Sequence, residues 1–253
     1  MSIENIQFNK GAVNIGECIS KGWEILKPNY LIFFAIGVLL VILGCIPFVS
    51  WFLVGPMMVG IQYGLLKQYR GEQAGFGDLF AGFNKLISAV VIGFLFILPG
   101  IVLNTYNLSF RIAQLLAIYN PNELTAGMAT LVGFVSFAVN SLAAIGSVLF
   151  GITFVFAPPI LAEKDLSLTD TIKLSARAGW SNFGGLFLLF LVLGLIMFAG
   201  LLALCIGFLF VLPLIYAAFA VAYRQVFPIE DNRGDQQFPP SPENYGNMYG
   251  QSG

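Results

Sequence analysis

Charged residues fall in short clusters along this chain, and long apolar runs separate the clusters. No Asp, Glu, Lys or Arg occurs between Lys27 and Lys67, Lys85 and Arg111, Glu123 and Glu163, or Arg177 and Arg224. A bilayer core excludes charge, and about 20 apolar residues cross it as a helix. The pattern therefore predicts an all-α, polytopic membrane protein. The first run, residues 28–66, would make a single helix of roughly 60 Å, twice the hydrocarbon thickness. It must fold back, and Gly44-Cys45-Ile46-Pro47 is the expected break. The run 178–223 is also expected to fold back, near Cys205-Ile206-Gly207. Lys85 to about Asn104 reads as one span, while residues 124–162 fit one span or two by length.

Positive charge decides between these counts. With six spans, Lys10, Lys21, Lys27, Lys67, Arg70, Lys85, Lys164, Lys173, Arg177, Arg224 and Arg233 share one side, and only Arg111 lies opposite. With seven, the split becomes even. The positive-inside rule favours six, with both termini in the cytoplasm.

Short amphipathic segments precede the runs. Ile15, Ile19, Trp23 and Leu26 form one face at helical spacing, opposite Asn14, Glu17, Lys21 and Glu24. Leu168, Ile172, Ala176 and Trp180 repeat that face after a Ser167/Asp170 capping-box start, and Phe76, Phe80, Phe83 and Ile87 supply a third version. A shift of 157 residues superposes Gly22-Trp23 on Gly179-Trp180, Pro56 on Pro213, Lys67 on Arg224 and Gln68 on Gln225. A middle copy runs from Gly82-Phe83 to Ala157-Pro158-Pro159, with a 42-residue insertion. The expected organisation is an N-terminal cytoplasmic segment (1–11), a membrane domain (12–227) and a disordered cytoplasmic tail (228–253). The membrane domain divides into units of about 12–70, 75–164 and 167–227. Each unit is a helical hairpin preceded by an interfacial helix, with Trp23, Phe83 and Trp180 as interfacial anchors. The insertion is expected to form an outer loop, 105–124, with a short helix over Leu108–Ile118.

Composition narrows the chemistry. Only 10% of the 253 residues are charged and 58% are hydrophobic, against about 25% charged in soluble domains. A net charge of −1 gives no case for nucleic acid. The chain has no His, which removes the commonest general base and metal ligand. Cys18, Cys45 and Cys205 lack metal-ligand spacing, and a Cys45–Cys205 disulfide stays open beside the reading of three small apolar residues. No catalytic residue, metal or cofactor is expected. In the fourth span Gly133, Ser136, Asn140, Ala143, Ser147 and Gly151 share one face. That stripe reads as helix packing with Asn140 as interhelical glue, or as a wall of a polar pathway. Gly60 and Gly64 form a GxxxG, read as a helix contact. Asp78, Glu163, Asp165 and Asp170, with Lys85, Lys164, Lys173 and Arg177, read as a solvated face of mixed charge.

A set of motifs also resembles a known family. Gly55-Pro56 with Gly60 is followed by Lys67 through Arg70-Gly71-Glu72 and Asp78-Leu79-Phe80-Ala81-Gly82-Phe83. Then come Ala157-Pro158-Pro159-Ile160 with Glu163-Lys164, Leu174-Ser175, Trp180-Ser181-Asn182, Gly207 through Pro213, and Ala222-Tyr223-Arg224. Together these resemble the six-span membrane-domain superfamily named after glycerophosphoryl diester phosphodiesterases, over about residues 12–227. Its stand-alone bacterial members are integral membrane proteins. In the fused enzymes hydrolysis belongs to a separate soluble domain, so the resemblance implies no phosphodiesterase activity here. The expectation is a non-enzymatic protein of the bacterial inner membrane, a scaffold or accessory subunit touching lipid and a partner membrane or cytoplasmic protein. Homo-oligomerisation stays open. The alternative is a transporter or exporter component for an apolar or lipid-like solute.

Overall fold

The computed structural model describes residues 6–44, 46, 49–119, 126–203 and 207–229. These residues form helices α1 (Ile15–Leu26), α2 (Tyr30–Gly44), α3 (Val49–Tyr69), α4 (Leu86–Tyr119), α5 (Ala126–Phe154), α6 (Ala157–Glu163), α7 (Leu168–Ser181), α8 (Phe183–Ala203) and α9 (Gly207–Val226). Two 3-10 segments join them, Lys27–Asn29 and Phe76–Lys85, and there is no strand among the described residues. Among the described residues, six helical stretches are long and apolar enough to cross a membrane. The first long run divides between Gly44 and Val49, and the last between Ala203 and Gly207. Thr130–Glu163 counts as a single stretch, broken after Phe154 where Pro158 and Pro159 enter the first turn of α6. Proline is tolerated there because first-turn amides need no intrahelical acceptor. Cys45, Cys205 and residues 230–253 lie outside the described residues.

The six long elements pack in a closed ring. Contacts run from α2 to α3, α4, α5, α8, α9 and back to α2. Helix α3 also touches α6 and α9, which places α3, the α5–α6 stretch and α9 at the centre. These central stretches bury 61, 44 and 44% of their apolar windows, against 28, 17 and 17% for those containing α2, α4 and α8. Between helices in lipid there is no hydrophobic driving force, so close van der Waals packing must hold the bundle. Glycine supplies it. A Cβ on Gly55 would overlap the Ala89 carbonyl of α4, and one on Gly82 would overlap the Pro56 carbonyl of α3.

One expectation is modified. The segment 105–119 is a continuation of α4, not a loop carrying a separate short helix. Nothing in Ile101–Tyr119 breaks a helix, since Gly and Pro are absent. The polar groups fold back on their own turn: Asn104 Nδ2 donates to Gly100 O at 2.9 Å and Thr105 Oγ1 to Ile101 O at 2.9 Å. The amphipathic segments pack through a face beside their apolar stripe. The residues they bury are Cys18, Gly22 and Leu26 in α1, Leu79 and Gly82 in the 3-10 segment, and Thr171, Leu174, Ser175, Ala178 and Gly179 in α7. The buried face is thus displaced by about one residue from the large apolar stripe. Small residues meet the neighbouring helix, while Trp23, Phe80 and Trp180 stay exposed. Each segment also starts a row of aromatic contacts. Trp23, Tyr30 and Phe34 are spaced at 5.8 and 6.0 Å, Phe76, Phe80 and Phe83 at 5.4 and 5.9 Å, and Trp180, Phe183 and Phe187 at 5.6 and 5.8 Å.

Candidate functional site

The central helices converge at the charged end of the bundle on one carboxylate. Glu163 closes α6. From α9, Arg224 Nη1 donates to Glu163 Oε2 at 2.9 Å, and Arg224 Nη2 donates to Oε1. Tyr223 OH donates to Oε2 at 3.0 Å, and Arg70, just past α3, donates from Nη1 to Oε1 at 3.2 Å. The Arg224 side chain is only 3% exposed. Its fork matches a carboxylate in two parallel hydrogen bonds, a geometry that fixes orientation as well as contributing energy. Arg70 Nε also holds Glu72 at 2.6 Å, and that hydrogen bond keeps the Glu72 carboxyl below its usual range.

Two further ion pairs tie the 3-10 segment to this node. Lys67 Nζ reaches Asp78 Oδ2 at 2.9 Å, and the same oxygen accepts the Gly75 amide at 2.8 Å, capping the segment. Lys85 Nζ donates to the carbonyls of Leu161 at 3.2 Å and Lys164 at 2.9 Å, at the end of α6, and meets Asp165 at 3.3 Å. Asp78 and Glu163 are therefore bridging groups, not members of a solvated face. Lys164, Asp170, Lys173 and Arg177 take no ion pair among the described residues. The sequence did hold a signal for the node, because Lys67 and Arg224 occupy matching positions under the 157-residue shift. Only the fold reveals that they meet carboxylates on different elements.

On the other side of the centre, α9 carries α1. Gln225 Oε1 accepts the Asn14 amide at 2.9 Å and the Cys18 thiol at 3.3 Å, and its Nε2 donates to Glu17 at 3.1 Å. The segment before α1 crosses to Asn182, which is 2% exposed. Asn182 accepts the Ala12 amide at 2.9 Å and donates to Asn9 O at 3.0 Å, while the Asn9 amide donates to Val226 O at 2.9 Å.

The stripe on α5 divides between two neighbours. Asn140 and Asn107 of α4 exchange amide hydrogen bonds at 3.2 and 3.3 Å, and Asn140 also donates to Ser136 O at 2.8 Å. Ser136 Oγ is buried without a partner. Ser147 donates to Ala143 O at 2.8 Å, a Cβ on Gly133 would meet open space, and one on Gly151 would touch Phe190 of α8 at 3.2 Å. Ala143, Gly146 and Ser147 face an apolar cleft of about 300 Å³, closed by Pro99, Val102 and Phe150. In the GxxxG, a Cβ on Gly60 would overlap the Leu79 carbonyl, and one on Gly64 would meet Leu79 at 3.2 Å and the Phe33 ring at 3.5 Å. Of the residues expected to anchor the interface, Trp23 and Trp180 are about half exposed, Trp180 Nε1 donates to Thr153 Oγ1 at 3.2 Å, and Phe83 packs against the core.

A cavity of about 460 Å³ opens beside the node, between the 3-10 segment, α3 and α6. Its walls combine Asp78, Lys85, Asn84 and Tyr63 with the apolar Val59, Phe80 and Leu161. Among the described residues, no group of three His, Cys, Asp or Glu side chains is placed to hold a metal ion.

Comparison with protein-family models, with curated proteins and with solved structures returns no match.

Proposed function

We propose that this chain is a non-enzymatic membrane scaffold or accessory subunit, built from three pseudo-equivalent units and seated in a bacterial inner membrane with its charged end in the cytoplasm. Each unit is an interfacial amphipathic segment followed by a helical hairpin: α1–α3, then the 3-10 segment with α4–α6, then α7–α9. Three matching glycines support that division. Gly82 of the second unit seats on α3 of the first, Gly179 of the third seats on α5 of the second, and Gly22 of the first seats on α9 of the third. Head-to-tail contacts of this kind close into a ring when the rotation per unit allows it. Support for interfacial segments comes from the three aromatic rows and the exposed Trp23, Phe80 and Trp180 near the charged end. The orientation rests on the distribution of Lys and Arg.

The observation that carries the scaffold reading is the Glu163 node. It ties the ends of α3, α6 and α9 together at one point, with the Arg224 side chain buried. A fixed centre leaves the outer helices α4 and α8 and the charged rim as the surfaces for lipid and a partner protein. The family resemblance, for which hydrolysis would belong to a separate domain, accords with this proposal. A second reading keeps one specific observation: the apolar cleft between α4 and α5 that Ala143 and Ser147 line would suit an apolar or lipid-like transported solute.

Extraction in native lipid particles followed by mass spectrometry separates the two. The scaffold reading expects a stoichiometric protein partner. Recovery of a retained apolar solute and no partner, together with loss of transport but not of folded protein in Asn140→Leu, would replace it with the transporter reading.

A further inference from the structure

We infer that the cavity beside the node is a binding site for the headgroup of an aminophospholipid, one bearing a primary ammonium and a phosphate. The inference rests on the membrane placement proposed above. Its volume of about 460 Å³ lies within the range of about 300–1,000 Å³ usual for small-molecule sites.

The chemistry of the wall selects the ligand. The 3-10 segment carries Asp78 in its first turn and Lys85 in its last, and both line the cavity. Both protein contacts of Asp78 use Oδ2, which leaves Oδ1 open to a donor. Lys85 holds two backbone carbonyls and one carboxylate, Asp165, whose side chain is 100% exposed. That carboxylate is the exchangeable partner, and a phosphate oxygen takes its place without disturbing the carbonyl contacts. The lining carries one charge of each sign, Asp78 and Lys85, with Lys67 pairing Asp78 through its other oxygen, so an ammonium meets the carboxylate and a phosphate meets the lysine. The open carboxylate oxygen and the Asn84 amide favour an ammonium that donates hydrogen bonds over a quaternary one that does not. Val59, Phe80 and Leu161 continue the wall in apolar side chains, where the lipid's glycerol and first methylenes lie.

The test is native mass spectrometry of the delipidated full chain, with phosphatidylethanolamine, phosphatidylcholine or phosphatidylglycerol added at one acyl composition. One phosphatidylethanolamine is expected to bind about tenfold more tightly than either other lipid, the worth of one hydrogen bond to a charged group. Asp78→Asn is expected to remove the preference for phosphatidylethanolamine over phosphatidylcholine and, by leaving Lys67 and Lys85 without that carboxylate, to shift binding toward phosphatidylglycerol. Because Asp78 also caps its segment, Ala81→Trp provides a second variant that fills the cavity and keeps every charge. It is expected to abolish the preference without lowering the thermal midpoint. Equal retention of the three lipids by the unaltered chain, or a preference that survives both substitutions, overturns the proposal. So does displacement of the lipid by an equal concentration of phosphoethanolamine, which would assign the site to a soluble ligand. Alkaline carbonate extraction of membranes keeps the two failures apart. A chain that resists extraction yet shows no lipid preference loses only this site, whereas a chain that is extracted loses the membrane placement as well.

Discussion

Arg224 has the most to lose from a single change. Its guanidinium is buried, its Nε has no partner, and Glu163 neutralises the rest. Removing one member of such a pair costs about 3–5 kcal/mol, whereas replacing both by apolar groups is often neutral. Glu163→Gln is therefore expected to lower the thermal midpoint sharply in detergent, and Glu163→Leu with Arg224→Met to recover most of the loss. A single Glu163→Gln that melts like the parent would show the node to be incidental. The glycines permit an equally local test. Gly82→Val and Gly179→Val push side chains into the carbonyls of Pro56 and Ile152 and should each destabilise by at least about 1–3 kcal/mol. Gly133→Ala and Gly146→Ala enter open space and should be neutral or slightly stabilising, because alanine is the better helix former. Size-exclusion profiles of fluorescent fusions after heating compare all four.

The long helices were legible because charge exclusion and length act over 20 residues at a time. The amphipathic segments were legible as elements but not in their packing. Hydrophobicity ranks Trp23 and Trp180 above Cys18, Gly22 and Gly179, yet the smaller residues are buried. Between apolar helices, closeness of approach counts for more than transfer from water, and a hydropathy pattern does not register closeness. The end of α4 was missed for a related reason. Asn104, Thr105 and Asn107 look like loop residues, but two satisfy their own helix and Asn107 pairs with Asn140. That amide pair is the polar contact between α4 and α5 made by the stripe. A double-mutant cycle of Asn107→Leu and Asn140→Leu should give a coupling of roughly 0.6 kcal/mol, and no more than about 1.7, as for other interhelical hydrogen bonds in membranes. Zero coupling would leave the pairing without energetic weight.

For the whole molecule, ring closure is the property that no single element carries. Helix α1, assigned to the first unit in the proposed division, is held by α9 through Gln225 and Gly22. The strand of chain before it is fastened by Asn182. Closure requires the three amphipathic segments to lie at the same end of the bundle, beside the node. Single cysteines placed at Glu24, Gln73 and Lys173, in a chain whose own three cysteines are replaced, read this out directly. A membrane-impermeant thiol reagent is expected to leave all three unlabelled in intact cells and to label all three in inverted vesicles. Labelling of any one of them from outside intact cells, while the others stay protected, would contradict the six-span arrangement and the ring built on it.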